Sequence, residues 1–333
     1  MQGGDSSGVG VIGVGEYIPR KLVTNEQVEA WTQIPAQTIV AKTGIVTRYV
    51  VEDHETASGI SATATRQAIE MAGIKPEQIG LIVGCTFSGD YIYPAMACKV
   101  QELIGARNAG AFDLLANCTG FQIGLSVVAD CMRSDSGIAY GLVVGTAVQS
   151  RFIRWSDPES IYFGDGAGAA VLGRVPPGYG VLSTDVFTNG KVFDSVRLRG
   201  GGSSYPLRPE NIHDGLQYYE INGLEVWKQV VQYQPKVIRR ALEKIGKNSE
   251  DVDFFIFHQA NLRLIEYLMG KMKQPMNKTY TNVAEIGNTA DASLAITLCQ
   301  AVKAGLIQRG LGVNRDDVVN HNVSNKYQPK GYT

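Results

Sequence analysis

Apolar and polar positions along the chain switch repeatedly between two periods. GVGVIGVG (8–15) is apolar and glycine-punctuated, which predicts a strand, and residues 25–31 fit a short helix capped by Thr24 or Asn25. SATATRQAIEMAG carries its apolar residues at helical spacing. IGLIVGCT is an apolar run of strand length, and PAMACKVQELIG is again helical, with Pro94 near its start. AGAFDLLAN then predicts a strand, CTGFQIGLSVVADCMR a helix, and IAYGLVVGTAV a further strand. Such alternation predicts an α/β protein with parallel crossovers.

The second half repeats the first. ATRQAIEMAGIKPEQIGLIV (64–83) matches VIRRALEKIGKNSEDVDFFI (237–256) at one constant offset. Ala68 falls on Ala241, Gly73 on Gly246 and Glu77 on Glu250, while Ile79 is replaced by Val252. NCTGFQIGLSVVADCM likewise corresponds to GNTADASLAITLCQAV. A repeat of this length predicts two halves, 1–176 and 177–333, packed across a shared core with a boundary near Pro176, Pro177 and Gly178. Residues 191–214 break the alternation. RLRGGGSSYPLRPENIHDG has no sustained periodicity and reads as a long surface loop, either an excursion on the rim or a wall of a site.

Composition narrows the classes. With 333 residues, 44% hydrophobic and 19% charged, the chain can bury a large core, which excludes global disorder. Lys and Arg number 31 against 32 Asp and Glu, with no basic run, which argues against electrostatically driven nucleic-acid binding. No apolar run reaches the ~18 residues that span a bilayer. MQGGDSSG lacks the basic and apolar regions of a secretory signal, so a cytoplasmic protein without a membrane partner is expected. The 5 cysteines form no CxxC pair and the 4 histidines no metal spacing, so free thiols and no metal are expected. The 38 glycines cluster in short motifs, which points to backbone lying close to other backbone or to a ligand.

Cys118 follows the strand AFDLLAN and opens the next helix. A thiol there meets the positive end of the helix dipole and free amides, which predicts a depressed pKa and a nucleophilic thiolate suited to a thioester. The competing reading is a small apolar residue packed under the sheet. Cys85, Cys98, Cys131 and Cys299, each within an apolar strand or helix, take that second reading. His258 ends VDFFIFH among Gln259, Asn261 and Arg263, at the strand end where α/β proteins build their sites. A satisfied structural histidine is its alternative. Asn288, in IGNTADAS, lies in the loop that the repeat pairs with the Cys118 loop, so pseudo-symmetry carries both towards one crevice. Taken alone it is an ordinary turn or cap residue. GVGVIGVG has dinucleotide-like spacing, but it runs as a strand with no ribose-binding acid behind it.

At these motifs the chain resembles β-ketoacyl-acyl-carrier-protein synthase III, a condensing-enzyme family of the thiolase superfamily. The match runs from about Val9 to about Val319. It includes KTGIVTR (42–48), AFDLLANCTGF (111–121), FGDGAGAAVL (163–172), INGLEVWK (221–228), HQANLRLI (258–265) and GNTADAS (287–293). The resemblance implies a thiolase-like five-layered αβαβα fold of two duplicated halves, a homodimer, and acyl-CoA or acyl-carrier-protein thioesters as substrates. It implies that Cys118 takes the acyl group, while His258 and Asn288 hold the carbonyl oxygen of a malonyl thioester during decarboxylation. No metal or redox cofactor is implied. Arg263 and Lys228 match positions that meet the phosphopantetheine-bearing acyl carrier protein, with Asn261 beside them. Tyr93, in YIYP, matches an aromatic that lines the acyl pocket across the dimer interface.

Three positions depart from the family pattern. Thr38 and Lys42, in TIVAKTG, stand where coenzyme A users carry the Trp and Arg of WxxxRTG. Pro158, Glu159 and Ser160 stand where a basic residue precedes FGDGAGA. Both changes weaken the clasp on coenzyme A and favour a carrier-bound or different donor. The chain closes VVNHNVSNKYQPKGYT, placing Asn325, Lys326 and Tyr327 near a glycine turn that serves the family's oxyanion hole, with His321 a surface bystander. These departures point from fatty-acid initiation towards specialised polyketide biosynthesis. Asn at 288 favours decarboxylative condensation, because an amide donates to an enolate oxygen and a carboxylate cannot. Two alternatives stand beside this reading: an acyltransferase forming an ester or amide without decarboxylation, and a non-catalytic dimeric relative that binds partners.

Overall fold

In the computed structural model, which describes residues 8–308, the glycine-punctuated first segment is strand β1 (Gly8–Tyr17). Then come β2 (Lys21–Thr24), α1 (Asn25–Thr32), α2 (Ala36–Thr43) and β3 (Thr47–Val50), with β2 and β3 paired antiparallel. Thr24 rather than Asn25 caps α1. Its hydroxyl accepts from the Gln27 amide while its own amide donates to the Gln27 side chain, a reciprocal capping box. The chain continues through α3 (Ala57–Ala72), β4 (Ile79–Cys85), α4 (Met96–Ile104), β5 (Gly110–Leu114), α5 (Gly120–Ser134), β6 (Tyr140–Ala147) and β7 (Gly166–Val175). Beyond Pro176 lie β8 (Val196–Leu198), β9 (Tyr219–Ile221), α6 (Gly223–Glu243), α7 (Leu262–Lys271), α8 (Val283–Ile286) and α9 (Ala290–Lys303).

The main sheet has the order β1-β7-β6-β4-β5. It is mixed, not wholly parallel as the alternation suggested. β4 runs parallel to β5 and β6, since α4 and α5 supply crossovers, but β7 returns antiparallel to β6 and pairs antiparallel with β1. Residues 148–165, between β6 and β7, contain only short 3-10 turns, so no crossover helix turns the chain round. Helices α3 and α4 cover one face through Ile60, Ala64, Ala68 and Val100. Helices α5 and α9 cover the other through Phe121, Val128, Leu294 and Ala295. A third apolar cluster joins α7 to Phe255 and Phe257, with residues of α6 packed against it.

The internal repeat is reproduced in its helix and its stop. Gly73 and Gly246 both adopt φ 67°, the left-handed value that ends each helix and that glycine takes without strain. The strand that should follow differs. Residues 252–257 form no ladder with the other described residues, where Phe255 bridges to Thr279. The 191–214 segment is likewise not structureless, because β8 within it pairs antiparallel with β9.

The glycines of β1 serve packing. A Cβ on Gly13 or Gly15 would stand 2.2 Å or 2.1 Å from the carbonyl oxygens of Ala68 or Ala64, so α3 rests directly on the strand backbone. This contact accounts for the spacing without a dinucleotide. Gly168 on β7 does the same for α9, where a Cβ would lie 2.5 Å from that of Ala295 and 2.8 Å from the Ile296 amide nitrogen. Gly168→Ala should therefore displace α9 and cost about 1–3 kcal/mol in denaturant unfolding. Gly190→Ala, at a position with open space around it, should be near neutral. Equal effects at the two sites would show that α9 tolerates a wider separation from the sheet.

Candidate active site

Cys118 sits in the tight turn 117–119 between β5 and α5, and Asn288 lies between α8 and α9. The two loops share an unusual backbone. Asn117 adopts φ 49° and Ala290 φ 40°, left-handed values that are strained for residues other than glycine and that gather at functional sites.

Asn288 is fixed by its own backbone. Its amide donates to the Tyr162 carbonyl (2.8 Å), and its carbonyl accepts from the Gly164 amide (3.0 Å) and the Gln149 side-chain amide (2.5 Å). Gly164 can come so close because it lacks a Cβ, which would stand 2.3 Å from the Ile286 carbonyl. The neighbouring Asp165 is buried and accepts from the Val51 amide and from the amide and hydroxyl of Ser150. FGDG is thus a clamp that holds the Asn288 loop. The Asn288 Oδ1 accepts from the Ala290 amide at 2.9 Å, which leaves Nδ2 as the end able to donate.

The His258 ring meets the Ser293 hydroxyl of α9 at Nδ1, 2.5 Å away. That hydroxyl oxygen already accepts from the Gln259 amide at 3.0 Å, so its own proton is available to point at Nδ1. The other ring nitrogen, Nε2, then carries the ring proton. Burial lowers the ring to about 4, so at neutral pH His258 is an uncharged donor through Nε2.

Cys118 departs from the sequence expectation. Its thiol is pushed up to about 12, first by burial and then by the negative potential of Asp291; only an amide in its own turn opposes them. Two features invisible in sequence account for the reversal. The thiol sits in a turn that precedes α5, not within its first turn, and a carboxyl from a distant helix faces it. Asp291 is itself raised to about 8 by burial. Of the other thiols, Cys85 and Cys299 are buried, whereas Cys98 is exposed on α4, contrary to its expected apolar setting.

The start of α9 thus gathers the site: Asn288 precedes the helix, Asp291 faces the Cys118 turn and Ser293 holds His258. The remaining candidates lie elsewhere. Asn261 caps α7, accepting from the Arg263 amide and donating to the Lys42 carbonyl, and the Arg263 guanidinium reaches the Ala41 carbonyl and Glu266. Both therefore fasten α7 to the end of α2. Lys228 is exposed on α6, 3.9 Å from Glu225. Tyr93 is 88% exposed, beside the equally open Tyr91 and Ile92. His321, Asn325, Lys326 and Tyr327 lie outside the described residues. Sequence reasoning passed over Ser293, Gln149 and Asp291. Only Asp291 carried a signal, as the sole charge in the otherwise small and apolar start of α9.

Comparison with known proteins places this geometry. The model for 3-oxoacyl-[acyl-carrier-protein] synthase III matches residues 112–190, and that for its C-terminal region matches 242–313. The β-ketoacyl-[acyl-carrier-protein] synthase III of Caldanaerobacter subterraneus is 36% identical over 303 residues, 90% of this chain and 91% of that protein. The chain belongs to the β-ketoacyl-acyl-carrier-protein synthase III family. A family structure from Aquifex aeolicus VF5 superposes with a TM-score of 0.82 at 32% identity, covering 91% of this chain and 93% of that one. The priming β-ketosynthase of the R1128 polyketide pathway gives 0.83 at 32% identity, covering 92% and 91%. The chain therefore has the thiolase-like five-layered αβαβα fold. Among its described residues, no cluster of three or more His, Cys, Asp or Glu could hold a metal ion, and no helix is long and apolar enough to cross a membrane.

Two outcomes follow from the charge states. Iodoacetamide at neutral pH should modify exposed Cys98 before Cys118, as read by peptide mass mapping; the reverse order would contradict a raised thiol. Folded Asp291 keeps its proton to about pH 8, whereas the unfolded chain releases it near 3.8. Between those values the unfolded state binds fewer protons, so stability falls as pH rises through the window and levels off above it. Below the window both states are protonated and the penalty vanishes. Asp291→Asn should show a smaller loss of stability from about pH 5 to about pH 8 than the parent chain does in denaturant melts.

Proposed function

We propose that this chain is an acyl-thioester condensing enzyme that loads an acyl group on Cys118 and extends it by decarboxylative Claisen condensation with a malonyl thioester. The observation that carries the reading is the pair of neutral N–H donors. His258 is tautomer-fixed by Ser293, and the Asn288 amide is orientation-fixed by the Ala290 amide. Neutral, preorganised donors suit an oxygen that becomes negative only in the transition state.

In the first half-reaction the Cys118 sulfur bonds to the acyl carbonyl carbon. The bond to the donor's sulfur breaks, and the thiol proton ends on the departing thiol. In the second, the malonyl carboxylate leaves as carbon dioxide and its electron pair forms an enolate, whose oxygen His258 and Asn288 stabilise. The enolate carbon then attacks the acyl–Cys118 carbonyl and expels the Cys118 thiolate, giving a β-ketoacyl product. The nucleophile comes from the half 1–176 and both donors from the half 177–333. Only thioester substrates are used, with no metal or redox cofactor.

The donor and pathway follow from the departures in sequence. Thr38 and Lys42 offer coenzyme A no aromatic and guanidinium clasp, so an acyl carrier protein delivers the acyl group, meeting Lys228, Arg263 and Asn261. Likeness to the R1128 priming β-ketosynthase, together with those departures, favours priming of a specialised polyketide over fatty-acid initiation. The exposed Tyr91, Ile92 and Tyr93 loop supports a homodimer in the cytoplasm, with Tyr93 walling the partner's acyl pocket.

Cys118→Ala should abolish the acyl adduct in intact-mass spectra. His258→Ala and Asn288→Ala should keep that adduct, while carbon dioxide release from the malonyl thioester falls by roughly 10²–10³. Normal decarboxylation by Asn288→Ala would instead favour an acyltransferase that uses Cys118 without condensation.

A further inference from the structure

The carboxyl of Asp291 is 1% exposed, and neither of its oxygens makes a well-formed hydrogen bond among the described residues; only the nearby amides of Gly120 and of Asp291 itself act on it. It is also wedged in place. Its carbonyl rests on Gly145 of β6, where a Cβ would lie 2.3 Å away, and its Oδ1 faces Gly120, where a Cβ would lie 2.6 Å away. Gly120 is the first residue of α5, two positions beyond Cys118. Its amide already donates to the Asn117 carbonyl and cannot fully satisfy a carboxylate. The absent side chain at Gly120 is needed to admit this group. A buried carboxyl without well-formed hydrogen bonds is a costly occupant for such a space.

We propose that Asp291 is a positioning residue that gates the nucleophile: with its proton on, burial alone opposes ionisation of Cys118, and with its proton off, its charge adds to that opposition and holds Cys118 more firmly as the unreactive thiol. The inference rests on reading Cys118 as the acyl-accepting group, although its test does not require acylation. The titratable groups around the carboxyl are Cys118 in the turn before α5, Cys85 on β4 and Tyr219 on β9, all held towards their neutral forms by burial and by the potential of Asp291. Asp165 acts on Tyr219 from the strand β7 side, and Asp113 acts on Cys85. His258, held by Ser293 on the same helix, is neutral. No cation is among the groups acting on Asp291. Burial raises it to about 8, and only the amides of Gly120 and of Asp291 itself pull the other way. The switch therefore falls near pH 8, and it closes as pH rises.

The test compares site-resolved iodoacetamide alkylation of Cys118 in the parent chain and in Asp291→Asn, from about pH 6.5 to about pH 9. Asparagine keeps the shape but cannot ionise. The variant-to-parent rate ratio should be close to one at the acid end, where both chains carry a neutral group. It should climb about tenfold by the alkaline end, one unit of thiol shift corresponding to a tenfold change in thiolate. Exposed Cys98 serves as the internal reference, with a ratio near one throughout. A ratio for Cys118 that does not vary with pH, whether one or a constant offset, would overturn the proposal, the offset indicating packing alone. Asp291→Ala supplies the same readout should the amide disturb folding. Should thioesters leave no adduct on Cys118 while the alkylation ratio still climbs, the condensing assignment fails and the gate stands.

Discussion

Helix α9 lies on the sheet with almost no solvent face, and everything in the site hangs from it. Residues 290–297 are all buried, and the helix reaches β6 and β7 at Gly145 and Gly168, where a side chain would collide with it. Because the helix cannot slide, the residues at its start are fixed relative to the Cys118 turn. Asn288, Asp291 and Ser293 then face three partners: the clamp before β7, the start of α5 and the His258 ring. Close packing of a small-residue helix on glycine thus converts into positional accuracy for polar groups.

The resulting pocket is uncharged at neutral pH. Burial keeps His258 deprotonated, Asp291 protonated and Cys118 as a thiol, for the same reason in each case: the charged form has lost its water. A resting site without ions suits chemistry whose negative charge develops late. Fixed N–H donors need no reorganisation when such charge appears. The acidic neighbour of Cys118 raises its thiol, which the position before a helix alone would not do.

Much of what identifies the family in sequence is scaffold. FGDGAGAAVL supplies Gly164, which fastens the Asn288 loop, Asp165, which ties that turn to Tyr49, Val51 and Ser150, and then a glycine-rich strand on which α9 lies. KTGIVTR supplies Arg48, fully buried, whose guanidinium donates to the Asn25 side chain and to the Ile161 carbonyl just ahead of that clamp. Asn261 and Arg263 of HQANLRLI tie two helices together. In this chain each of these motifs holds another segment in place.

Periodicity alone located β1, β4, β6, α3 and α5, because their apolar spacing and glycine stops are local properties of the chain, while the internal repeat located α9. The same local logic found the Thr24 cap and the matching stops at Gly73 and Gly246. Pairing direction was not local: β7 returns antiparallel because no crossover helix follows β6, a fact about connection and not about β7 itself. The internal repeat brought Cys118 and Asn288 together on paper, but the charge state of the thiol required three dimensions. In sequence Asp291 lies far from Cys118, and only the packing of α9 against Gly120 makes it a neighbour. Helix polarity can be read from the residues that begin a helix, whereas desolvation and through-space charge depend on what folds over them.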